Sequence, residues 1–231
     1  MPPTWLTVLA WTALAAGFAS AAAIVFDIYG RGYRQERMPV MEAVWPITAL
    51  YFGPVAVWGY HRFGRPSSGR WLRQHGTDHP PDEPRWAGVA VDVSHCGAGC
   101  TLGDIIAEFG VFALAATVAG AALWAEMIGD YLLAVTFGLA FQYFAIAPMR
   151  GLSFRKGILA AAKADILSLT AFEVGLFGWM ALMAFVFFPS PHLMPTGPVF
   201  WFLMQIGMIV GYFTSWPANV WLIRRGIKQA M

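Results

Sequence analysis

Long apolar runs, separated by short polar stretches, make up most of the chain. A helix needs about 20 mainly apolar residues to cross the hydrocarbon core of a bilayer. Six stretches reach that length, at about 5–28, 40–61, 101–124, 129–149, 157–188 and 197–223. Gly129-Asp130 predicts a tight turn between the third and fourth stretches, while Trp45-Pro46 and Gly53-Pro54 can break the second. The pattern predicts an all-α fold, a polytopic membrane helical bundle of about six transmembrane helices that forms a single domain over residues 1–231.

The composition supports a membrane location. The 231 residues are 58% hydrophobic and 12% charged, whereas soluble domains have about 25% charged residues. Because so few charges could not cover a globule in water, the lipid bilayer is an expected partner. The net charge of +2 and the lack of a basic run argue against nucleic acid as a partner. The first apolar run has no Lys or Arg before Arg31 and is longer than a signal peptide core, so we expect a retained helix.

Basic residues in the loops indicate the orientation, because Lys and Arg collect on the cytoplasmic side of membrane proteins. With six spans, one side holds only Arg31, Arg34 and Arg37, and Lys163 lies inside the fifth span. The other side holds many more, namely Arg62, Arg65, Arg70, Arg73, Arg85, Arg150, Arg155, Lys156, Arg224, Arg225 and Lys228. This imbalance predicts that both termini are cytoplasmic, that residues 62–100 form a cytoplasmic loop, and that the membrane is a bacterial inner (plasma) membrane.

The segment 94–108 carries the densest group of chemically active side chains. Four of them are spaced by four residues, so on a helix they would form one stripe, and a histidine precedes the first. The five residues are His95, Cys96, Cys100, Asp104 and Glu108. Imidazole, thiolate and carboxylate groups are the usual ligands of transition metals, and two cysteines with one histidine suit copper or zinc. The small residues 97–99 between the cysteines would allow close approach either of an ion or of a neighbouring helix.

Two further carboxylates could complete this site. Asp165 and Glu173 lie in the fifth span, where acidic groups are costly unless they are paired, protonated or bound to a cation. Both the third and the fifth span would begin on the cytoplasmic side, which places Asp165 near the depth of Asp104. We therefore expect a metal site formed by His95, Cys96, Cys100, Asp104, Glu108, Asp165 and Glu173. Copper is the first choice of metal and zinc the second, and the expected function is metal transport or sensing.

Three other interpretations remain open. The two cysteines could exchange thiols and disulfides with a membrane partner, although three residues separate them instead of the usual two. The chain could also be an accessory subunit of a larger membrane complex, or form a homo-oligomer, through its small-residue helix faces. The segment could finally serve packing alone, since buried cysteine behaves as a small hydrophobic residue. No complete catalytic signature is present, so the sequence leaves open whether the protein is an enzyme.

Three segments together resemble a known family. They are His95-Cys96-Gly97-Ala98-Gly99-Cys100 followed by Gly103-Asp104-Ile105-Ile106, then the residues 38–46, and then the residues 217–228. The chain resembles, from about residue 38 onward, an uncharacterised family of bacterial and archaeal membrane proteins that is known only as a domain of unknown function. The resemblance implies that the His-Cys-Gly-Ala-Gly-Cys motif is the hallmark of the family. It implies no activity, so function must be argued from the site itself.

Overall fold

The computed structural model describes residues 2–150 and 153–228, without the side chains of residues 146–150. The described residues form an all-helical fold with no strand. The α-helices are α1 (Thr4–Val25), α2 (Met41–Phe52), α3 (Pro54–Gly59), α4 (Gly69–His75), α5 (Arg85–Leu114), α6 (Ala122–Arg150), α7 (Phe154–Leu182) and α8 (Pro198–Arg224). Short π-helical turns extend α1 to Gly30 and α7 to Phe187.

Five helices of the described chain are long and apolar enough to cross a membrane. They are Thr4–Gly30, Arg85–Leu114, Ala122–Ala145, Phe154–Phe187 and Pro198–Arg224. Large apolar side chains stand exposed along them, for example Trp11, Leu132 and Val174, as expected for surfaces that face lipid. The prediction of an all-helical chain suited to a membrane is therefore confirmed.

The second predicted span, 40–61, is not a continuous helix. At Gly53 the backbone has a φ of 55° and a ψ of −130°, a conformation that suits glycine, and Pro54 then begins α3. The chain reverses there, so that α2 and α3 form a hairpin of two short helices. The end of α2 lies deep in the bundle, where Gln205 of α8 donates a hydrogen bond to the carbonyl of Leu50 over 2.6 Å.

The segment after α3 returns to the end of the bundle from which α2 entered. Tyr60 donates a hydrogen bond over 3.1 Å to Asp27, near the end of α1. Asp27 also forms ion pairs with Arg31 and Arg65, at 3.5 and 3.4 Å. Arg70 in turn donates to the carbonyl of Arg31. The loop 31–40 and the segment 60–84 therefore lie at the same end of the bundle, which we call the basic end.

The two described ends of the chain lie at opposite ends of the bundle. Pro2 and Thr7 line one surface cavity with residues 187–194 and 196–200, which include the start of α8. Lys228 follows the other end of α8, at the basic end. This arrangement differs from the expectation of six spans with both termini on one side, because the hairpin α2–α3 enters and leaves at the same end.

Two predicted boundaries also differ from the structure. The loop predicted over 62–100 is irregular only from 76 to 84, since α4 precedes this stretch and α5 begins directly after Pro84. The turn predicted at Gly129-Asp130 lies instead at 115–121, where Ala115, Ala119 and Gly120 have positive φ angles. Gly129 is part of α6 and is small because it packs against Ala107. The glycine at position 129 therefore allows close packing of α5 and α6 and does not form a turn.

Glycines set the position of α5 within the bundle. A Cβ atom at Gly99 would lie 2.7 Å from the backbone of Gly138, and one at Gly103 would lie 2.5 Å from the backbone of Ala134. The helices α5 and α6 therefore approach each other backbone to backbone, in the way small residues allow in membranes. On another face, a Cβ atom at Gly97 would lie 3.0 Å from Phe172 of α7 and from the hydroxyl of Tyr51 near the hairpin tip. The small residues of the cysteine motif thus serve helix packing.

Candidate functional site

The cysteine motif lies inside α5 and not at its start. Cys96 is the twelfth residue of the helix, about 17 Å along the axis from Arg85 at about 1.5 Å per residue. His95, Cys96 and Cys100 are fully buried, and both cysteines are free thiols. The third predicted span began at residue 101 and so placed the motif at a membrane edge. In the structure the motif belongs to the interior of a helix that is long enough to cross the membrane.

Cys96 takes part in a closed ring of hydrogen bonds between α5, α7 and α8. Its thiol donates to Asp165 over 3.1 Å, and its sulfur lies 2.7 Å from the hydroxyl of Ser168. Ser168 accepts a hydrogen bond from the amide of Asn219 over 2.8 Å. Lys228 closes the ring, because its ammonium group donates to both Asp165 and Asn219 over 3.0 Å. All five side chains are buried, so the ring is a sealed polar network inside the apolar bundle.

Lys228 reaches this ring because the chain folds back after α8. Gly226 has a φ of 66°, and its N–H donates to the carbonyl of Ile223, while the N–H of Ile227 donates to the carbonyl of Leu222. These two bonds form a Schellman motif, which ends a helix and reverses the chain. Burial lowers the pKa of Lys228, but the negative charge of Asp165 outweighs this and raises the pKa above its ordinary value. Lys228 is therefore a charged ammonium group inside the protein.

A second group of ionisable side chains continues from Cys100 away from the basic end. Its members are buried carboxyl groups on three helices: Asp104 and Glu108 of α5, Asp130 of α6 and Glu173 of α7. The thiol of Cys100 interacts with Glu173, and Asp104 lies within electrostatic range of the other three acids. Within the described part of the chain, the carboxyl oxygens of Asp104, Glu108 and Asp130 have no hydrogen-bond partner. We call these four residues the acidic cluster.

The series of ionisable groups extends through the length of the bundle. The acidic cluster is followed by Glu126, which interacts with Glu108 and with His192 in the loop before α8. His192 lies at the end opposite to Lys228. From Cys96 to Glu108 alone the series covers about 18 Å along α5, at about 1.5 Å per residue. Buried groups of this kind in membrane-spanning helices are expensive, and they usually mark paths for ions or protons.

The structure brings together most of the predicted site residues, but in two groups. Asp165 contacts Cys96 in the ring, while Glu173 interacts with Cys100 and belongs to the acidic cluster. His95 packs edge-on against Phe141 of α6, with ring centroids 6.2 Å apart. Among the described residues, no three or more His, Cys, Asp or Glu side chains lie close enough together to hold a metal ion. The stripe expected from the spacing is present, but it is not a closed metal centre.

Several residues of the site could not be recognised from the sequence. Lys228 was counted as a loop charge, and Asp130 was placed in a turn. Ser168, Ser215 and Asn219 carry no charge, and of the three only Asn219 lies in a segment that resembles the family, yet Ser215 donates to the carbonyl of Ser168 over 3.0 Å and supports the ring. The one available signal was the spacing of Ser215 and Asn219, which places both on one face of α8.

These observations define an all-helical protein with five helices suited to a membrane and a series of buried ionisable groups through their core. Residues 85–228 match the family model of the domain of unknown function DUF4396. Because the match covers more than half of the chain, the protein belongs to this family. The match begins at the first residue of α5 and ends at Lys228, so it contains the ring and the acidic cluster. The resemblance noted at residues 38–46 lies outside it.

No curated protein and no solved structure matches the chain. Any function must therefore be argued from the arrangement of the ring and of the acidic cluster.

Proposed function

We propose that this protein carries a metal cation across the membrane, through the series of ionisable groups between α5, α6, α7 and α8. The observation that carries the proposal is the acidic cluster, in which the buried carboxyl groups of Asp104, Glu108 and Asp130 have no hydrogen-bond partner in the described residues. A carboxyl group in a low-dielectric interior must be protonated, paired with a positive group or bound to a cation. Since Lys228 is already bound to Asp165, the acidic cluster has no fixed cation of its own among the contacts described. A cation that enters and leaves would provide its charge balance.

A soft or borderline metal is the proposed cargo, with copper first and zinc second. The thiols of Cys96 and Cys100 favour such metals over Mg²⁺ or Ca²⁺, and carboxylates accept zinc as well. The described residues form no closed set of ligands, and a series of separate sites suits transport better than storage. Conduction requires binding sites that are weak and successive, so that an ion can enter and also leave. His95, Cys96 and Asp165 would act near the basic end, and Cys100, Glu173, Asp104 and Glu108 deeper in the bundle.

The hairpin α2–α3 supports a transport role. Short helices that enter a membrane and turn back are tolerated where they are buried in protein or line a path. Tyr51, near the tip of this hairpin, is buried beside Gly97 of the cysteine motif. The hairpin would thus form part of the wall of the proposed path.

The charges of the loops assign an orientation to this path. Every Lys and Arg of the chain except Lys163 lies in the segments 31–37, 62–85, 150–156 and 224–228. The described parts of these segments lie at the basic end of the fold. The segments 1–3, 115–121 and 188–197 contain no Lys or Arg. By the positive-inside rule the basic end is cytoplasmic, which places the start of α1 outside and the end of α8 inside. The proposed membrane is the inner membrane of a bacterium.

Reporter fusions test this orientation. Alkaline phosphatase, which is active only outside the cytoplasm, is fused before Pro2 in one version and after residue 228 in another. We expect activity from the first fusion and none from the second, with the reverse result for a green fluorescent protein. Equal behaviour of the two ends would contradict the five-span arrangement and return the chain to an even number of spans.

Uptake into vesicles tests the transport proposal. Purified protein is placed in proteoliposomes that contain a metal-sensitive dye, with Zn²⁺ or reduced copper added outside. We expect metal entry above that of empty vesicles. The double variant Cys96→Ala, Cys100→Ala should lower both the rate of entry and the metal retained after purification by at least about tenfold, because the two soft ligands are gone. Lys163→Ala, a change at an exposed side chain of α7, is the control. Unchanged entry in the double variant would overturn the metal proposal.

A further inference from the structure

We infer that Lys228 is a tethered cation that closes the basic end of the path by occupying the cation site formed by Asp165 and Asn219. The inference rests on the proposed function, because it assigns a closed state to the same series of groups. The ammonium group of Lys228 makes hydrogen bonds of 3.0 Å to one oxygen of Asp165 and to one oxygen of Asn219. In this position the lysine provides the positive charge that a transported cation would otherwise provide.

The ring explains why the path is closed in this state. The thiol of Cys96 is engaged as a donor to Asp165, so its sulfur does not act as a thiolate ligand. One oxygen of Asp165 is bound by both Lys228 and Cys96, while the other, Oδ2, is buried without a hydrogen-bond partner in the described residues. Departure of Lys228 would leave a carboxylate beside a soft sulfur ligand. The site would then suit a cation that accepts oxygen and sulfur, as copper and zinc do.

The turn after α8 provides the means of release. The backbone around Lys228 is held, in the described residues, by hydrogen bonds of this last turn, which include those from the N–H groups of Ile227 and Lys228 to the carbonyl of Leu222, at 3.0 and 3.3 Å. Gly226 allows the left-handed conformation that this reversal needs. A Cβ atom at Gly226 would meet no atom within 4 Å, so a substitution there acts on the backbone conformation alone. Opening this one turn removes the ammonium group without disturbing the packing of the long helices.

Opening also conserves charge in a simple exchange. In the closed state the carboxylate of Asp165 is balanced by Lys228. When the lysine side chain moves to water, an incoming cation takes its place on Asp165, and the reverse exchange expels the cation. Asp92, buried on α5, also lies within electrostatic range of Lys228 and adds to the negative charge that holds it.

The rate at which Cys96 reacts with a small cationic thiol reagent, 2-aminoethyl methanethiosulfonate, measures this closure. Cys96 and Cys100 are the only cysteines of the chain, so Cys100→Ala leaves Cys96 as the single target. In detergent-purified protein, with modification followed by mass, we expect slow reaction for this single-cysteine protein. Adding Lys228→Met should accelerate the reaction by at least about tenfold, because the local barrier to opening is removed. Gly226→Ala keeps Lys228 in the chain but strains the turn that holds it, so this variant should give a smaller acceleration.

Two controls separate closure from general loosening of the fold. Lys163→Ala removes an exposed lysine of α7 and should leave the rate unchanged. Cys100, tested alone in a Cys96→Ala protein, should be accelerated much less than Cys96, since it lies one turn deeper. The inference would be overturned if both cysteines were accelerated equally. It would also be overturned if neither Lys228→Met nor Gly226→Ala accelerated the modification of Cys96. Faster modification of Cys96 without metal entry in any variant would support the closure and overturn the proposed transport, whereas metal entry with unchanged modification would do the opposite.

Discussion

The double variant Asp104→Asn, Glu173→Gln is expected to be more stable than the natural protein and inactive in transport. Both side chains are buried in the acidic cluster, and each carboxylate inside a membrane costs a few kcal/mol unless it is paired or bound. The amides keep the size and shape of the side chains but remove the charge. We expect the free energy of unfolding to rise by about 1–2 kcal/mol, because sites that serve function are often destabilising.

Thermal unfolding in detergent and metal entry into vesicles measure the two halves of this result. The entry rate should fall by at least about tenfold, since neutral amides cannot balance the charge of a passing cation. Glu36→Gln is the matched control, because Glu36 is exposed and its ion pair with Arg73 spans 3.4 Å at the surface. This change should alter stability by less than about 0.5 kcal/mol and leave entry unchanged. A less stable double variant with normal transport would show that the acidic cluster has a structural role.

Removing one partner of the pair Asp165–Lys228 is expected to destabilise the protein more than removing both. The two groups are almost completely buried and 3.0 Å apart. Asp165→Ala leaves the ammonium group of Lys228 inside the bundle without its ion-pair partner, and breaking a buried pair in this way costs about 3–5 kcal/mol. In the double variant Asp165→Ala, Lys228→Ala no charge is left behind. Its loss should be smaller than the sum of the two single losses by about 1–3 kcal/mol.

Unfolding of the natural protein, the two single variants and the double variant gives this coupling energy directly. The exposed pair Arg73–Glu36 offers a comparison cycle, for which the coupling should be below about 1 kcal/mol. Additive losses in the buried cycle would mean that Lys228 does not occupy the ring in solution. That outcome would also remove the basis for a closing role of the lysine.

Hydrophobic patterning was sufficient to predict the long helices but not how they connect. Helices α1, α6, α7 and α8 overlap their predicted spans because each carries a long apolar run. The stretch 40–61 has the same overall hydrophobicity, and the sequence alone does not show that the chain reverses at Gly53. The reversal depends on contacts from distant segments, such as Tyr60 with Asp27. Because α2 and α3 form a hairpin, Arg31, Arg34 and Arg37 lie at the same end of the bundle as the segment 60–84, whereas the six-span prediction separates them.

The spacing of the motif predicted part of the site. Residues four apart on α5 do form a buried stripe, and Asp165 and Glu173 of α7 do lie beside it. The partner of Asp165 was beyond prediction, because Lys228 follows a helix end and reads as an ordinary loop charge. The burial of Lys228 results from the turn at Gly226. This turn directs the lysine side chain to Asp165 of α7, a contact that the sequence does not reveal. The metal assignment remains a proposal, and its strongest support is now the acidic cluster and not the two cysteines.

The buried ammonium group of Lys228 has an electrical consequence. A charge that lies inside the low-dielectric core moves through part of the transmembrane potential whenever it enters or leaves. A full crossing of one charge corresponds to about 2.3 kcal/mol per 100 mV, and Lys228 would cross a fraction of that distance. In the proposed orientation the basic end faces the cytoplasm, so a membrane potential that is negative inside would pull the lysine out of the ring. An energised membrane would then favour the open state, and loss of the potential would favour the closed one.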